Sequence, residues 1–305
     1  MVDPLLKWPG SKLARRANLA ALFADDPRQV FCDPMCGSMS VPLAMPLCDR
    51  GAVVLGDAGP RLIATYRAVR RDPEGVHRAL SLFAQGIEEA RATAAVNGWV
   101  SPSATANARK GRYADPWKAY YYRQRTRMNE WAPVHGEVAS AEHAALFLWV
   151  QRAAFNGLFR TGPDGGSNTP AGDRFTLPSL RHLGAVAHHL RGVTLLDAPL
   201  DVTARVAQTI GPVDLLLDPP YAGDYDGYTA AGFTDAHRAD LVRAAQETVR
   251  AGGRVVVTEA DHPVALAWLE AAGLHVQRVV GRTTISRSSA QRGDRAELLA
   301  RSWPW

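Results

Sequence analysis

A carboxylate and an aromatic ring follow a buried apolar segment in residues 213–221, VDLLLDPPY. The run VDLLL is typical of a strand that is buried on both faces. Pro219 and Pro220 cannot continue such a strand, because proline has no N–H group and holds the preceding residue in an extended conformation. The pattern predicts that Asp218 and Tyr221 lie on a stiff turn at the carboxyl end of a strand, where open α/β sheets bind ligands. A rigid surface turn is the alternative.

Two further acids follow apolar segments nearer the start of the chain. Asp33 closes the segment QVFCD, and the small-residue turn after it contains Gly37, so a ligand could approach the backbone closely. Asp57 closes the segment AVVLGD, at the distance where nucleotide-binding folds place a ribose-binding acid. A plain strand–helix turn and a helix N-cap are the respective alternatives. Because the turn has neither G-x-G-x-x-G nor a phosphate-gripping lysine, a nucleoside without pyrophosphate fits better than NAD or ATP.

Apolar segments alternate with helical periodicity at both ends of the chain, which is typical of an α/β fold with a parallel sheet. A strand, a turn and a helix follow one another in 29–47 and again in 52–73, where the helix begins near Pro60. Similar segments return in the second half of the chain, at 192–200, 213–221, 234–251 and 253–261. The last two segments, 275–286 and 295–303, predict a C-terminal antiparallel hairpin.

The middle of the chain has helical periodicity without a clear strand. The aromatic and basic segment YYYRQRTRMNEW at 120–131 predicts a helix whose tyrosines lie in its core and interface. An apolar helix is expected at 144–160, and a Gly/Pro/Asn-rich loop follows at 161–178. The expected parts are a catalytic domain formed by 1–74 and 190–305 and a mainly helical insertion formed by 75–189.

Composition favours a polyanionic partner and a reducing compartment. The 305 residues carry a formal net charge of +5, with a pI of about 9.3. The cysteines Cys32, Cys36 and Cys48 are odd in number and lack a second Cys or His pair at metal-ligand spacing, so we expect no disulfide framework and no metal. No stretch approaches the roughly 20 apolar residues of a membrane span, and no signal-peptide pattern opens the chain. We therefore expect a cytoplasmic protein without membrane contact.

Ordered motifs resemble those of the DNA adenine N6-methyltransferases (Dam-like, D12 class, alpha motif order). They are LKWPGSK at 6–12, DPMCGSMS at 33–40 and DPPY at 218–221. The similarity runs on through FLWVQRAAFNGLFR and the C-terminal RTTISRSSAQRGDRAELLA, in co-linear order, apart from an insertion around 90–115. The resemblance implies a Rossmann-like S-adenosylmethionine-dependent methyltransferase sheet with an inserted, mainly helical DNA-recognition domain.

The resemblance also implies a set of residues that bind S-adenosyl-L-methionine. They are Trp8, Gly10, Lys12, Asp33, Gly37, Asp57, Asp197 and Asp218. In this assignment Asp57 binds the ribose and Asp218 lies near the methionine amino group. Asp197, which ends the segment VTLLD, is placed to meet the cofactor adenine, although a strand-end helix cap explains it equally well. Asp33 stands where many relatives have Glu.

The DPPY segment also has a catalytic interpretation. The exocyclic N6 of adenine is a poor nucleophile, because its lone pair is delocalised into the ring. Asp218 and the Pro219 carbonyl are suited to accept both N6 hydrogens, with Pro220 fixing the turn. Tyr221 would stack on an adenine flipped out of the duplex. Methyl transfer then depends on positioning and electrostatics, without a metal or a covalent enzyme intermediate.

DNA contacts are assigned to residues of four segments. They are Lys7, Phe155, Asn156, Arg160, Arg181, Arg287 and Arg292. AFNGLFR resembles the family's aromatic-Asn-Gly-Leu-x-Arg element, which implies that Phe155 wedges between bases and that Arg160 reads a guanine in a GATC or another G-A-T site. Core packing is the alternative for Phe155. Arg287 and Arg292 suit phosphate contacts, or else form a solvated charge run.

The sequence alone leaves three other functions open. N4-cytosine methylation is chemically parallel, a catalytically silent DNA-binding subunit belongs to another class, and a protein-glutamine methyltransferase is least favoured by the DNA-recognition element. The expected partner is double-stranded DNA, and a cognate restriction endonuclease is a candidate genetic partner. We expect a monomer or a weak dimer.

Overall fold

One mixed sheet organises the molecule. The structure is a computed structural model that describes residues 1–8, 10–26, 29–96, 115–162, 165–173, 175–221, 233–283 and 293–305. In those residues the sheet has seven strands: β1 Val30–Asp33, β2 Ala52–Gly56, β3 Thr194–Leu196, β4 Val213–Leu217, β5 Arg254–Ala260, β6 His275–Thr283 and β7 Gly293–Arg301. Their order is β3-β2-β1-β4-β5-β7-β6. β1 to β5 pair in parallel, and β7 lies antiparallel between β5 and β6. The predicted α/β fold class and the C-terminal hairpin are confirmed.

The described helices are α1 Arg16–Ala21, α2 Pro60–Arg71, α3 Pro73–Val96, α4 Pro116–Glu130, α5 Ala141–Ala153, α6 Leu180–His189, α7 Leu200–Gln208, α8 Asp235–Arg250 and α9 Pro263–Ala271. Side-chain caps define several of their starts. Asp115 accepts a hydrogen bond from the backbone of α4, Ser140 from that of α5 and Ser179 from that of α6. Such caps satisfy N–H groups that have no partner within the helix.

The segment after β1 does not form the helix that we expected within 29–47. It forms two short 3₁₀ turns, Pro42–Ala44 and Leu47–Asp49. The physical reason is the backbone chemistry of this stretch: Pro42 and Pro46 lack N–H donors, and Gly37 and Met39 have positive φ angles of 46° and 58°. The turn after β1 therefore approaches the sheet edge as irregular backbone.

Two apolar layers cover the sheet. Alternate strand residues face opposite layers, as Phe31 and Cys32 do in β1. One layer contains α7, α8 and α9, and the other contains α2 together with α3 to α6. Trp149 of α5 is fully buried in the second layer, and Tyr121 of α4 packs 6.1 Å from it, between ring centroids. Tyr121 thus has the core position that was expected. The boundaries 1–74, 75–189 and 190–305 stay a prediction.

Candidate active site

The three acids that close apolar segments of the sequence all lie at the carboxyl edge of the parallel strands. Asp33 is the last residue of β1, Asp57 follows β2, and Asp218 follows β4. β1 pairs with β2 on one side and with β4 on the other, so the three strand ends are adjacent. This arrangement concentrates negative charge at one point of the sheet.

Lys12 is the cation at the centre of this cluster. Its buried Nζ donates hydrogen bonds to Asp218 Oδ1 at 2.5 Å and to the Gly10 carbonyl at 2.7 Å. The same atom lies 4.6 Å from the centre of the Tyr221 ring. Burial alone would lower the pKa of Lys12, but the Asp218 carboxylate and Tyr221 together raise it above its ordinary value. Lys12 therefore stays charged and joins the LKWPGSK segment to the DPPY segment.

Asp33 and Asp57 have different surroundings. Asp33 is 4% exposed and accepts one hydrogen bond, from the Met35 N–H at 3.2 Å. Its burial and the nearby Asp218 charge raise the pKa of Asp33 well above its usual range. Burial also raises the pKa of Asp57, but hydrogen bonds from the Gly59 and Gly37 N–H groups, at 2.8 and 3.0 Å, oppose that rise. Gly59 occupies the N-cap of α2, so a plain N-cap role for Asp57 is wrong.

Gly37 makes room for Trp8. A Cβ atom on Gly37 would lie 2.7 Å from Trp8 Cδ1, closer than two carbon atoms can approach without displacement. The Trp8 indole also stacks on Phe159, with ring centroids 5.1 Å apart and planes inclined by 13°. Trp8 thus links the turn after β1 to the AFNGLFR segment.

Asp197 makes a structural ion pair. Its backbone is close to Asp57, since the Asp57 N–H donates to the Leu196 carbonyl at 3.0 Å. Its carboxylate accepts from Arg67 at 2.7 Å and from the Gly136 N–H at 3.0 Å. Burial would raise the pKa of Asp197, but these two donors hold it below its ordinary value. The helix-cap alternative is wrong, because Pro199 is the N-cap of α7. Contact with a cofactor stays a prediction for Asp197.

The AFNGLFR element forms an exposed turn. Phe155 is 46% exposed, so the core-packing alternative is wrong for this side chain. Asn156 and Gly157 have positive φ angles of 56° and 65°, a conformation that asparagine and glycine tolerate best. A Cβ on Gly157 would lie 3.0 Å from Lys7 Cβ, which places Lys7 against this turn. The turn presents its aromatic ring to the surface beside Lys7.

Of the other residues predicted to contact DNA, the structure describes two, Arg160 and Arg181. The Arg160 carbonyl accepts a hydrogen bond from the Asn168 N–H at 3.1 Å, which joins the two arms of the loop. Arg181 is exposed in the first turn of α6. Arg287 and Arg292 lie outside the described residues.

One face of α4 binds the loop that returns from AFNGLFR, a role that was not predicted. The side chains that make the contacts are spaced four residues apart along the helix: Trp117, Tyr121, Arg125 and Asn129. They donate to the backbone carbonyls of Gly172, Thr169 and Ser167, at 2.5 to 3.1 Å. Since Phe155 N–H donates to the Pro170 carbonyl at 2.8 Å, the α4 face supports the exposed turn through this returning arm. The four-residue spacing was a usable signal, because it places side chains on one helix face.

Asn129 provides a test of this support. Its amide donates to the Ser167 carbonyl at 3.1 Å and accepts from the Ser167 N–H at 2.8 Å, as a neighbouring strand would. Asn129→Asp keeps the size but turns the donor into an acceptor that faces the Ser167 carbonyl. We expect DNA affinity to fall about tenfold, since one unsatisfied buried group costs about 1–3 kcal/mol. DNA titration by fluorescence anisotropy measures this. Asn18→Asp, on the exposed face of α1, is the matched control, and equal affinities for both variants would contradict the supporting role.

Comparison with known proteins agrees with this architecture. In the described residues, the seven-stranded sheet, mostly parallel with antiparallel C-terminal strands, is consistent with an α/β methyltransferase fold. A model of the D12 class N6 adenine-specific DNA methyltransferase family matches residues 8–281, and the chain belongs to that family.

Curated relatives cover most of the chain. The retron Ec67 DNA adenine methylase of Escherichia coli is 27% identical over 263 residues, which are 85% of this chain and 78% of that protein. A DNA adenine methylase of Vibrio cholerae is 26% identical over 302 residues, 97% of this chain and 94% of that protein. The type II methyltransferase M.MjaIII of Methanocaldococcus jannaschii is 21% identical over 310 residues, 96% of each chain.

The family establishes the general reaction. The protein is an adenine-specific DNA methyltransferase, an enzyme that acts on DNA with a methyl donor. This finding decides against N4-cytosine methylation, a silent DNA-binding subunit and protein-glutamine methylation. Among the described residues, no helix has the length and apolar character needed to cross a bilayer.

Proposed function

We propose that this enzyme transfers the methyl group of S-adenosyl-L-methionine to N6 of an adenine flipped out of a short duplex site. The observation that carries the proposal is the Asp218 carboxylate, held by Lys12 at the carboxyl edge of the sheet beside Asp33 and Asp57. The proline turn of DPPY places Asp218 and Tyr221 together at that edge. These groups are suited to adenine N6 chemistry.

The charges of the site fit the proposed donor. Asp218 and Asp33 lie near one lysine, and Asp57 lies at the adjacent strand end, so a ligand with positive charge is favoured. S-Adenosyl-L-methionine has a sulfonium and an ammonium group, and its activated methyl supplies the electrophile of the reaction. Asp57 is suited to bind the ribose hydroxyls, because each carboxylate oxygen keeps a lone pair after accepting one backbone N–H. Gly37 and Trp8 would form the wall beside the nucleoside.

The catalytic steps follow from the residues at the DPPY turn. Asp218 and the Pro219 carbonyl accept hydrogen bonds from the two N6 hydrogens, which favours a pyramidal nitrogen with an available lone pair. Tyr221, whose pKa burial raises above its ordinary value, stays a neutral phenol and provides a ring for stacking on the flipped base. Lys12 keeps its proton and compensates the charge of the Asp218 carboxylate. The methyl–sulfur bond would break as the N6–methyl bond forms, one N6 hydrogen would be lost to solvent as a proton, and the rate would come from alignment and electrostatics.

The exposed AFNGLFR turn suggests how the site on DNA is chosen. Phe155 is exposed and suited to insert between bases, and Asn156 lies beside it in the same turn. We propose a G-A-T site, such as GATC, in which Arg160 reads the guanine 5′ of the target adenine through O6 and N7. Lys7 and Arg181 are suited to phosphate contacts, as are Arg287 and Arg292. One relative's name, a type II methyltransferase, also favours a restriction endonuclease as genetic partner.

Arg160→Ala tests this choice of sequence. We expect discrimination at the guanine to relax by about 1–3 kcal/mol, because the bidentate contact is lost, while donor binding is unchanged. Methylome sequencing of cells that express each variant measures it. Modified adenines without preference for a 5′ guanine in the wild type would contradict the assignment of Arg160.

The whole proposal is tested with purified enzyme. Duplex DNA is incubated with S-adenosyl-L-methionine carrying a labelled methyl group, digested to nucleosides and analysed by mass spectrometry. The expected product is N6-methyl-2′-deoxyadenosine that carries the labelled methyl group. Label in N4-methylcytosine, or in protein, would overturn the proposal.

A further inference from the structure

The two oxygens of the Asp218 carboxylate have unequal surroundings. Oδ1 accepts hydrogen bonds from Lys12 Nζ at 2.5 Å and from Thr258 Oγ1 at 2.6 Å. Within the part of the chain that the structure describes, both donors lie on Oδ1 and none on Oδ2. The side chain of Asp218 remains 21% exposed, whereas that of Lys12 is 6% exposed. Among these described residues, the carboxylate is therefore anchored through Oδ1 alone.

Thr258 belongs to the strand beside the DPPY turn. Leu217 of β4 lies opposite Val257 of β5 in the parallel pair, so the following residues, Asp218 and Thr258, come side by side. Thr258 has no solvent exposure. A β-branched side chain in a strand has few rotamers, so its hydroxyl is held in one direction by the backbone.

The two donors restrain Asp218 in different ways. Lys12 has a long flexible stem, so its ammonium compensates charge but defines direction weakly. The Thr258 hydroxyl comes from the rigid centre of the sheet and meets Oδ1 from the β5 side. Two donors on a single oxygen limit rotation of the carboxylate about its Cβ–Cγ bond, which would otherwise be broad.

We propose that Thr258 is a positioning residue for methyl transfer, which turns Asp218 so that Oδ2 is the oxygen that receives an N6 hydrogen. The inference rests on the proposed function, in which Asp218 accepts that hydrogen. Thr258 itself does not touch the adenine in this scheme. It acts by keeping the acceptor oxygen in the alignment that the nitrogen needs.

The experiment compares Thr258→Val with Thr258→Ser in the full-length enzyme. Valine keeps the shape and removes the donor, whereas serine keeps the donor. We expect Thr258→Val to lower kcat about 10- to 100-fold, since small misplacements of reacting groups cost up to about that factor. The KM for duplex DNA and the Kd for S-adenosyl-L-methionine should change by less than about twofold, and Thr258→Ser should restore most of kcat.

Thr248→Val is the matched control for a buried threonine. Thr248 lies in α8, has no solvent exposure and accepts a hydrogen bond from Gln208 Nε2 at 3.0 Å. Its replacement should alter the melting temperature but leave kcat unchanged. The double variant with Asp218→Asn is a second test. If Thr258 acts through Asp218, adding Thr258→Val to Asp218→Asn should change the residual rate little.

The outcomes separate this inference from the proposed function. A wild-type enzyme that does not methylate adenine would overturn the proposed function, whatever Thr258 does. An active wild type with Thr258→Val at the same kcat would overturn only the positioning role. Equal loss in Thr258→Val and Thr258→Ser, or a parallel loss of donor binding, would also overturn it, because packing rather than the hydroxyl would then be responsible.

Discussion

Asp218→Ala should lower the rate of methyl transfer by roughly a thousandfold or more, because N6 loses its principal hydrogen-bond acceptor. Binding to duplex DNA should stay within a few-fold of wild type, since affinity comes mainly from phosphate contacts elsewhere. Single-turnover transfer of a labelled methyl group measures the chemical step, and anisotropy measures DNA binding.

Asp218→Asn is the companion variant for this prediction. It keeps the volume and one oxygen next to Lys12, so it separates loss of the acceptor charge from loss of the side chain. Asp235, at the exposed start of α8, supplies the control substitution Asp235→Ala, which should leave transfer unchanged. Near-normal turnover of Asp218→Ala would falsify the proposed mechanism.

Lys12→Met should destabilise the folded protein and also stop methyl transfer. The Lys12 side chain is 6% exposed, and its removal leaves Asp218 close to Asp33 without a compensating cation. Breaking one side of a buried ion pair costs about 3–5 kcal/mol, and the partial exposure of Asp218 favours the lower end, about 3 kcal/mol. Urea unfolding at neutral pH measures the loss of stability. Lys118→Met, at a partly buried position in α4, is the control.

A double variant separates the two effects of Lys12. Lys12→Met with Asp218→Asn removes the unpaired charge, so most of the lost stability should return. Activity should not return, because the acceptor carboxylate is absent. If Lys12→Met were as stable as wild type, the buried ion pair would not contribute to the free energy of unfolding in solution.

The positions of the acids were predictable because they depend on local rules. An apolar segment that ends in an acid and proline or glycine predicts a strand end, and parallel strands bring their carboxyl ends together. Asp33, Asp57 and Asp218 follow this rule. The helix expected after β1 failed because Pro42 and Pro46 outweighed the apolar pattern around them.

The contacts that refine the site were not predictable, because they join residues far apart in the chain. Thr258 is 40 residues from Asp218, and Lys12 is 206 residues from it. In the sequence, Thr258 looks like an ordinary strand residue. Only the register of β4 against β5 shows that it lies beside Asp218. For Asp197, a distant contact replaces the one that was expected. Its position at a strand end suggested contact with a ligand, but its carboxylate accepts a hydrogen bond from Arg67, 130 residues away.

Trp8 lies against Gly37 and stacks on Phe159, so under the proposed function the binding of the donor and the binding of DNA would be thermodynamically interdependent. The indole touches the turn proposed to hold the donor and the aromatic neighbour of the arginine proposed to read DNA. Filling either proposed site would restrain the same ring, so less conformational entropy would be lost when the second ligand binds. Linkage is reciprocal: the factor by which the donor raises the affinity for DNA equals the factor by which DNA raises the affinity for the donor. In this enzyme, heterotropic cooperativity would pass through one tryptophan.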